Sequence, residues 1–174
     1  MPRYLEHPSK AARWRNGSLE VHPDAAAATQ TVWVAVDPAE DGDVVWEGLL
    51  ARSPAEGRAV IAAVPVFAYD LNLGDQVEVV TSAEGPLVAV RPLQDAGRYT
   101  FRVWFPDWPD LEQDERWKGL QVELEPFGCW FDVYSPRLVA VSADPDEARA
   151  VTDVLDAGER AGRFIYETGR QSDG

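Results

Sequence analysis

The sequence predicts an α+β protein: an N-terminal small β-barrel-like or curved antiparallel sheet, followed by a C-terminal ferredoxin-like βαββαβ unit. Three observations carry that expectation. Residues 31–96 hold five or so short strands separated by turn residues, the spacing of a small barrel or a strongly curved sheet. Residues 97–169 follow the order β-α-β-β-α-β. The 174 residues include 7 Trp, 6 Phe and 5 Tyr, which suits a packed core and excludes a disordered polyanion. Residues 1–30 read as a polar, weakly structured N-terminal arm, and 170–174 as a frayed tail.

The strands of the β-rich half follow from local pattern. Thr31–Val36 alternates strictly, and Asp37–Gly42 supplies turn chemistry. A second strand runs from Val44 to Arg52 and closes at Ser53–Gly57. The apolar run Ala59–Tyr69 contains Pro65 and reads as a buried strand pair or a bent strand. Gly74-Asp75 is a turn before the strand Gln76–Val80, and Ala83–Pro86 turns into Leu87–Val90.

In the second half, Thr100–Phe105 is a strand. Trp117, Leu120 and Leu124 lie at helical spacing inside the acidic segment 107–125, although Leu120, Val122 and Leu124 also alternate. Cys129–Tyr134, Ser135-Pro136 and Arg137–Ser142 form a hairpin pattern. Asp144 is placed to cap a helix, with Pro145 at its first position and Glu147 as capping-box partner. Ala148, Val151 and Leu155 trace one face, Gly162 stops it, and Phe164–Thr168 closes as a strand.

Charge and composition bound the partners. Thirty acidic residues against 16 basic ones give a net charge of −14, which argues against nucleic acid, since phosphate binding needs a basic face. One cysteine, Cys129, fits a reducing cytoplasm. No apolar run approaches a membrane span, so no membrane partner is expected.

Several segments are similar to a bacterial family: Glu47-Gly48-Leu49-Leu50-Ala51, Val64-Pro65-Val66-Phe67-Ala68, Leu73-Gly74-Asp75-Gln76-Val77, Ala96–Val103, Gly128-Cys129 and Tyr166-Glu167. Over roughly residues 31–169 the chain resembles the domain of unknown function 4265 (DUF4265). The Pro65–Phe67 pair followed by Gly74-Asp75 is the most specific part. Where the family pattern places a tryptophan after the acidic residue, this chain has Leu50, with Trp46 upstream. The resemblance implies architecture and names no activity. Pro65, Phe67, Gly74 and Asp75 read physically as a structural motif: proline belongs at a strand bend, and Asp75 accepts backbone N–H groups in its turn.

No catalytic set assembles in the sequence. Cys129 reads as a packed apolar group, and the only histidines, His7 and His22, sit in the N-terminal arm. That scarcity leaves no zinc site, and a calcium loop beginning at Asp37 fails at Ala39 and Gly48, so no metal or cofactor is expected. Phosphate-binding, dinucleotide and Gly-x-Ser-x-Gly motifs are absent. The segment 104–117 interleaves aromatics with carboxylates. It marks Trp108, Asp107, Asp110, Glu112, Asp114 and Glu115 as a candidate surface for a protein with a basic face, tryptophan anchoring and acids steering. The function expected is therefore a non-catalytic acidic protein-binding module, for example an immunity-type inhibitor of a basic bacterial toxin. The alternative is a small-ligand-binding protein or enzyme with a pocket between the two halves.

Overall fold

The computed structural model describes residues 2–36, 43–107, 110 and 113–170. Its first difference from expectation is the N-terminal segment, which is ordered structure rather than a weakly structured arm. Arg3–Glu6 (β1), Ala12–Arg15 (β2) and Ser18–Val21 (β3) are strands, and Pro23–Ala27 (α1) is a short helix with His22 at its cap. Ala11 and Ala25 are fully buried. The sequence hides this because the partners are remote: β1 pairs with Val45–Gly48 and β2 with Phe131.

Five further strands close a barrel: Gln30–Val36 (β4), Val45–Ala55 (β5), Arg58–Ile61 (β6), Gln76–Thr81 (β7) and Leu87–Gln94 (β8). The order is β5-β4-β8-β7-β6, and β6 returns to pair with β5. The long β5 makes closure possible, pairing with β4 and β1 over its first part and with β6 beyond Ala51. Val32, Leu49, Ala51, Ile61, Val77 and Val79 fill the barrel.

The run Ala59–Tyr69 is not a strand pair. It leaves the sheet after Ile61, and residues 62–68 form an irregular, largely buried segment that ends at the exposed Tyr69. Pro65 offers no N–H, and the neighbouring N–H groups turn to carboxylates instead of a ladder.

The second sheet is built from Tyr99–Trp104 (β9), Trp130–Ser135 (β10), Leu138–Ala143 (β11) and Ile165–Thr168 (β12), extended by β2 and β3. Its order is β12-β9-β11-β10-β2-β3, antiparallel throughout. Helices Glu115–Leu124 (α2) and Ala148–Arg160 (α3) cover one face, where Phe101, Val141, Trp117, Leu120, Val151 and Leu155 pack. The helical reading of Trp117, Leu120 and Leu124 holds: all three are buried. Helix α3 begins later than the capping pattern suggested. Glu147 occupies the cap, and Asp144 instead pairs with Arg98.

The barrel covers the sheet's other face, so both faces of β9–β11 are buried. Val64, Val66 and Leu73 meet Trp130 and Ala140 across that junction. Phe101, Val103, Phe131, Val139 and Val141 face the helices, while Thr100, Arg102, Trp130, Asp132 and Ala140 alternate toward the barrel.

Candidate functional site

Strand register assembles a line of polar groups between barrel and sheet. Glu167, Arg102, Ala140 and Asp132 are successive partners across β12, β9, β11 and β10. The irregular segment 64–69 lies over that line. Asp132 accepts from the Val64 N–H at 3.4 Å, and the Ala68 carbonyl accepts from Arg102 Nη2 at 2.6 Å. From the barrel side Glu47 accepts three successive backbone N–H groups, those of Val66 (2.6 Å), Phe67 (3.1 Å) and Ala68 (2.7 Å). The glutamate thus satisfies donors that a turn-rich buried segment would otherwise orphan.

His7, between β1 and β2, joins the two carboxylates. Its Nε2 lies 2.7 Å from Glu47 Oε1 and its Nδ1 2.9 Å from Asp132 Oδ2. The second contact pairs the ring with Asp132 as an ion pair when His7 is protonated. The imidazole is 2% exposed and both carboxylates are fully buried. Burial opposes protonation of His7, but the two carboxylates outweigh it and raise its pKa to about 9. Burial likewise works against ionised Glu47, yet His7 and the backbone N–H groups hold its pKa below the ordinary value. The cluster is a cation buried between two anions that fastens the N-terminal strands to barrel and sheet together.

A cleft of about 440 Å³, lined in part by Val66, Phe67 and Tyr69 of the irregular segment, opens between barrel and sheet. Phe67, Tyr69, Arg102, Trp104, Tyr166 and Glu167 are among its walls. Arg102 has a side chain 5% exposed and pairs with Glu167 at 3.0 Å. Its guanidinium stacks 4.1 Å from the centre of the Tyr69 ring, and the Tyr69 hydroxyl donates to Glu167 at 3.0 Å. Arg102 Nε has no hydrogen-bond partner among the described residues. Burial, with the Glu167 contact added, raises the Tyr69 pKa, so the phenol is a neutral donor at physiological pH. The cleft therefore presents an apolar, aromatic body with a charge-balanced donor and acceptor set at one end.

The residues singled out from sequence fall as follows. Asp107 and Asp114 both contact Arg116, at 3.3 and 2.7 Å, and Asp114 also caps α2 by accepting the Arg116 N–H. Arg116 holds the Asp114 carboxyl below its usual range. Glu115 pairs with Lys118, and the Asp110 carbonyl accepts from the Gln113 and Asp114 N–H groups. Trp108 and Glu112 lie outside the described residues, as do Asp37–Gly42 of the calcium-loop reading. Phe67 stands edge-on to Tyr134 at 4.8 Å. Asp75 accepts from the Asn72 and Ala96 N–H groups, and Gly74 takes φ +91°, where a side chain is strained. Cys129 is in the core beneath the helices, and burial pushes its thiol up to about 12.

In the sequence Glu47 and Arg102 appear only inside family-like segments, Asp132 only inside the hairpin pattern, and His7 only in the arm, none with a site role. For Glu47, Arg102 and Asp132 one signal was available: each is a charged residue at an inward position of a largely apolar strand, a placement that demands a partner; His7, between β1 and β2, carries no such signal. Among the described residues, no group of three or more His, Cys, Asp and Glu side chains is arranged to hold a metal ion. Nor is any helix there long and apolar enough to cross a membrane.

No curated protein is significantly similar to the chain. A solved structure described as a novel crystal structure of a hypothetical protein from Neisseria gonorrhoeae is similar in fold, with a TM-score of 0.68 at 17% identity. The alignment covers 83% of this chain and 96% of that one. The family model for "Domain of unknown function (DUF4265)" matches residues 47–166, beginning at the buried glutamate and ending at Tyr166 on the cleft wall. The chain belongs to the DUF4265 family.

Proposed function

We propose that the protein binds a small, neutral amphipathic molecule in the cleft between barrel and sheet. The observation that carries this reading is Arg102, a guanidinium buried at the cleft and balanced by Glu167 and Tyr69. A buried charge is costly unless its partners are well placed, and here they leave donor capacity beside aromatic walls. Because Arg102 and Glu167 already neutralise each other, the head group that suits them is uncharged and both donates and accepts, such as a primary amide. The apolar body of the ligand packs against Phe67 and Trp104.

The test is ligand-observed NMR with a panel of aromatic amides and the matching carboxylates and amines. The amides are expected to bind and the charged analogues to bind less well. Tyr69→Phe, which removes one hydroxyl, should weaken amide binding several-fold. Equal binding by all three head groups, or full binding by Arg102→Met, would refute the assignment.

A second reading keeps the acidic surface near α2 as a contact for a basic protein partner. Asp107 and Glu115 support it, being the most exposed members of their ion pairs. The finer fold reading, a ferredoxin-like unit, is supported by the order β9-α2-β10-β11-α3-β12 and the strand sequence β12-β9-β11-β10.

A further inference from the structure

A separate hollow lies on the barrel's outer face and shares no lining residue with the cleft. Glu47 points inward on β5, so its neighbours Trp46 and Gly48 point outward. Register then sets Tyr4 of β1 beside Trp46, and Trp33 of β4 beside Gly48. Gly48 has no side chain, and the six-membered ring of Trp33 occupies its place: a Cβ there would stand 2.9 Å from Trp33. Tyr4 meets Trp33 edge-on at 5.1 Å and 83°. The three rings line a hollow of about 450 Å³, and Asp43 and Glu84 are also among its lining residues. Neither lysine nor arginine lines it among the described residues.

The treatment of other aromatics in this molecule makes that hollow informative. Arg13 stacks over Trp130 at 4.1 Å, Arg102 over Tyr69 at 4.1 Å, and Arg137 over Trp104 at 4.4 Å. Among the described residues no cation of the chain covers Tyr4, Trp33 or Trp46, and Tyr4 is 54% exposed. We propose that this hollow binds a methylated ammonium group, with Tyr4, Trp33 and Trp46 as its aromatic walls. Ring faces attract a cation electrostatically, and a quaternary ammonium has no N–H groups whose hydration must be replaced. Glu84, also among the lining residues, adds long-range attraction, as does the net charge of −14.

Choline and 3,3-dimethylbutan-1-ol share a shape and differ in charge, which separates a cation site from an apolar groove. Calorimetric titration of the full chain should show choline binding about tenfold tighter than its uncharged isostere. The indole N–H signals of Trp33 and Trp46 should shift together in the NMR spectrum. Tyr4→Ala should weaken choline about tenfold, and Glu84→Gln about twofold. Both residues are exposed, so the variants should fold normally. A peptide bearing trimethyllysine, compared with its unmodified lysine counterpart, identifies the source: tighter binding than choline points to a protein side chain, weaker binding to a free small molecule. Equal affinity for choline and the isostere overturns the proposal. So does choline affinity unchanged by Tyr4→Ala, or no binding of either methylated ammonium.

Discussion

At the scale of single residues, His7 is held by two fully buried carboxylates, and its charge is what makes their burial tolerable. Replacing it with asparagine leaves Glu47 and Asp132 buried without a cation, and should cost ~3–5 kcal/mol in urea unfolding. The same group sets the pH response. His7 titrates at about 9 in the folded protein against 6.5 when free. Its contribution is therefore complete below 6.5 and lost as pH rises through 9, a loss of about 3 kcal/mol. Glu47 acts in the opposite sense: its lowered pKa contributes stability above 4.5 that is lost as pH falls through the folded value. Stability from this cluster should be greatest between about 4.5 and 6.5. Denaturation midpoints measured across pH should fall on the alkaline side in the parent and lose that dependence in His7→Asn.

At the scale of elements, two helical glycines have opposite roles. A Cβ on Gly158 of α3 would lie 2.2 Å from the Phe164 ring, which is buried and cannot swing away. Helix propensity favours alanine by about 1 kcal/mol, but overpacking costs ~1–3 kcal/mol and prevails. Gly119 of α2 meets nothing closer than the Arg163 guanidinium at 3.7 Å, the movable end of a flexible side chain. Thermal melts should therefore show Gly158→Ala destabilised and Gly119→Ala stabilised by roughly 0.5–1 kcal/mol. Elements with local periodicity were legible in advance. The buried faces of α2 and α3, the hairpin of β10 and β11 and the stop at Gly162 follow from spacing and turn chemistry. The start of α3 was not, because Arg98 competes for the Asp144 carboxylate that would otherwise cap it.

At the scale of the whole molecule, the N-terminal strands belong to both sheets at once. Strand β1 adds to the barrel through β5, β2 adds to the second sheet through β10, and His7 stands between them. Deleting residues 2–22 removes three strands, β1 from the barrel sheet and β2 and β3 from the second sheet, together with His7, the cation that sits between Glu47 and Asp132. The expected result is loss of the single cooperative unfolding transition, visible by calorimetry, rather than the small change that trimming a loose arm would produce.

Short-range signals determined the α+β class, the barrel strands, the helical faces and the family to which the chain belongs. Alternation, turn residues and helical spacing act within a few residues and need no knowledge of partners. Tertiary structure alone decided the candidate sites. Glu47, Asp132 and His7 are separated along the chain by 40 and 85 residues, and only strand register brings them within hydrogen-bond distance. Arg102 and Glu167 meet for the same reason, as cross-strand partners on β9 and β12. Part of the charge of −14 lies in the acidic segment leading into α2, yet the charges that organise the fold are a few inward-facing ones. A side chain's exposure depends on which remote strand covers it, and composition carries no record of that.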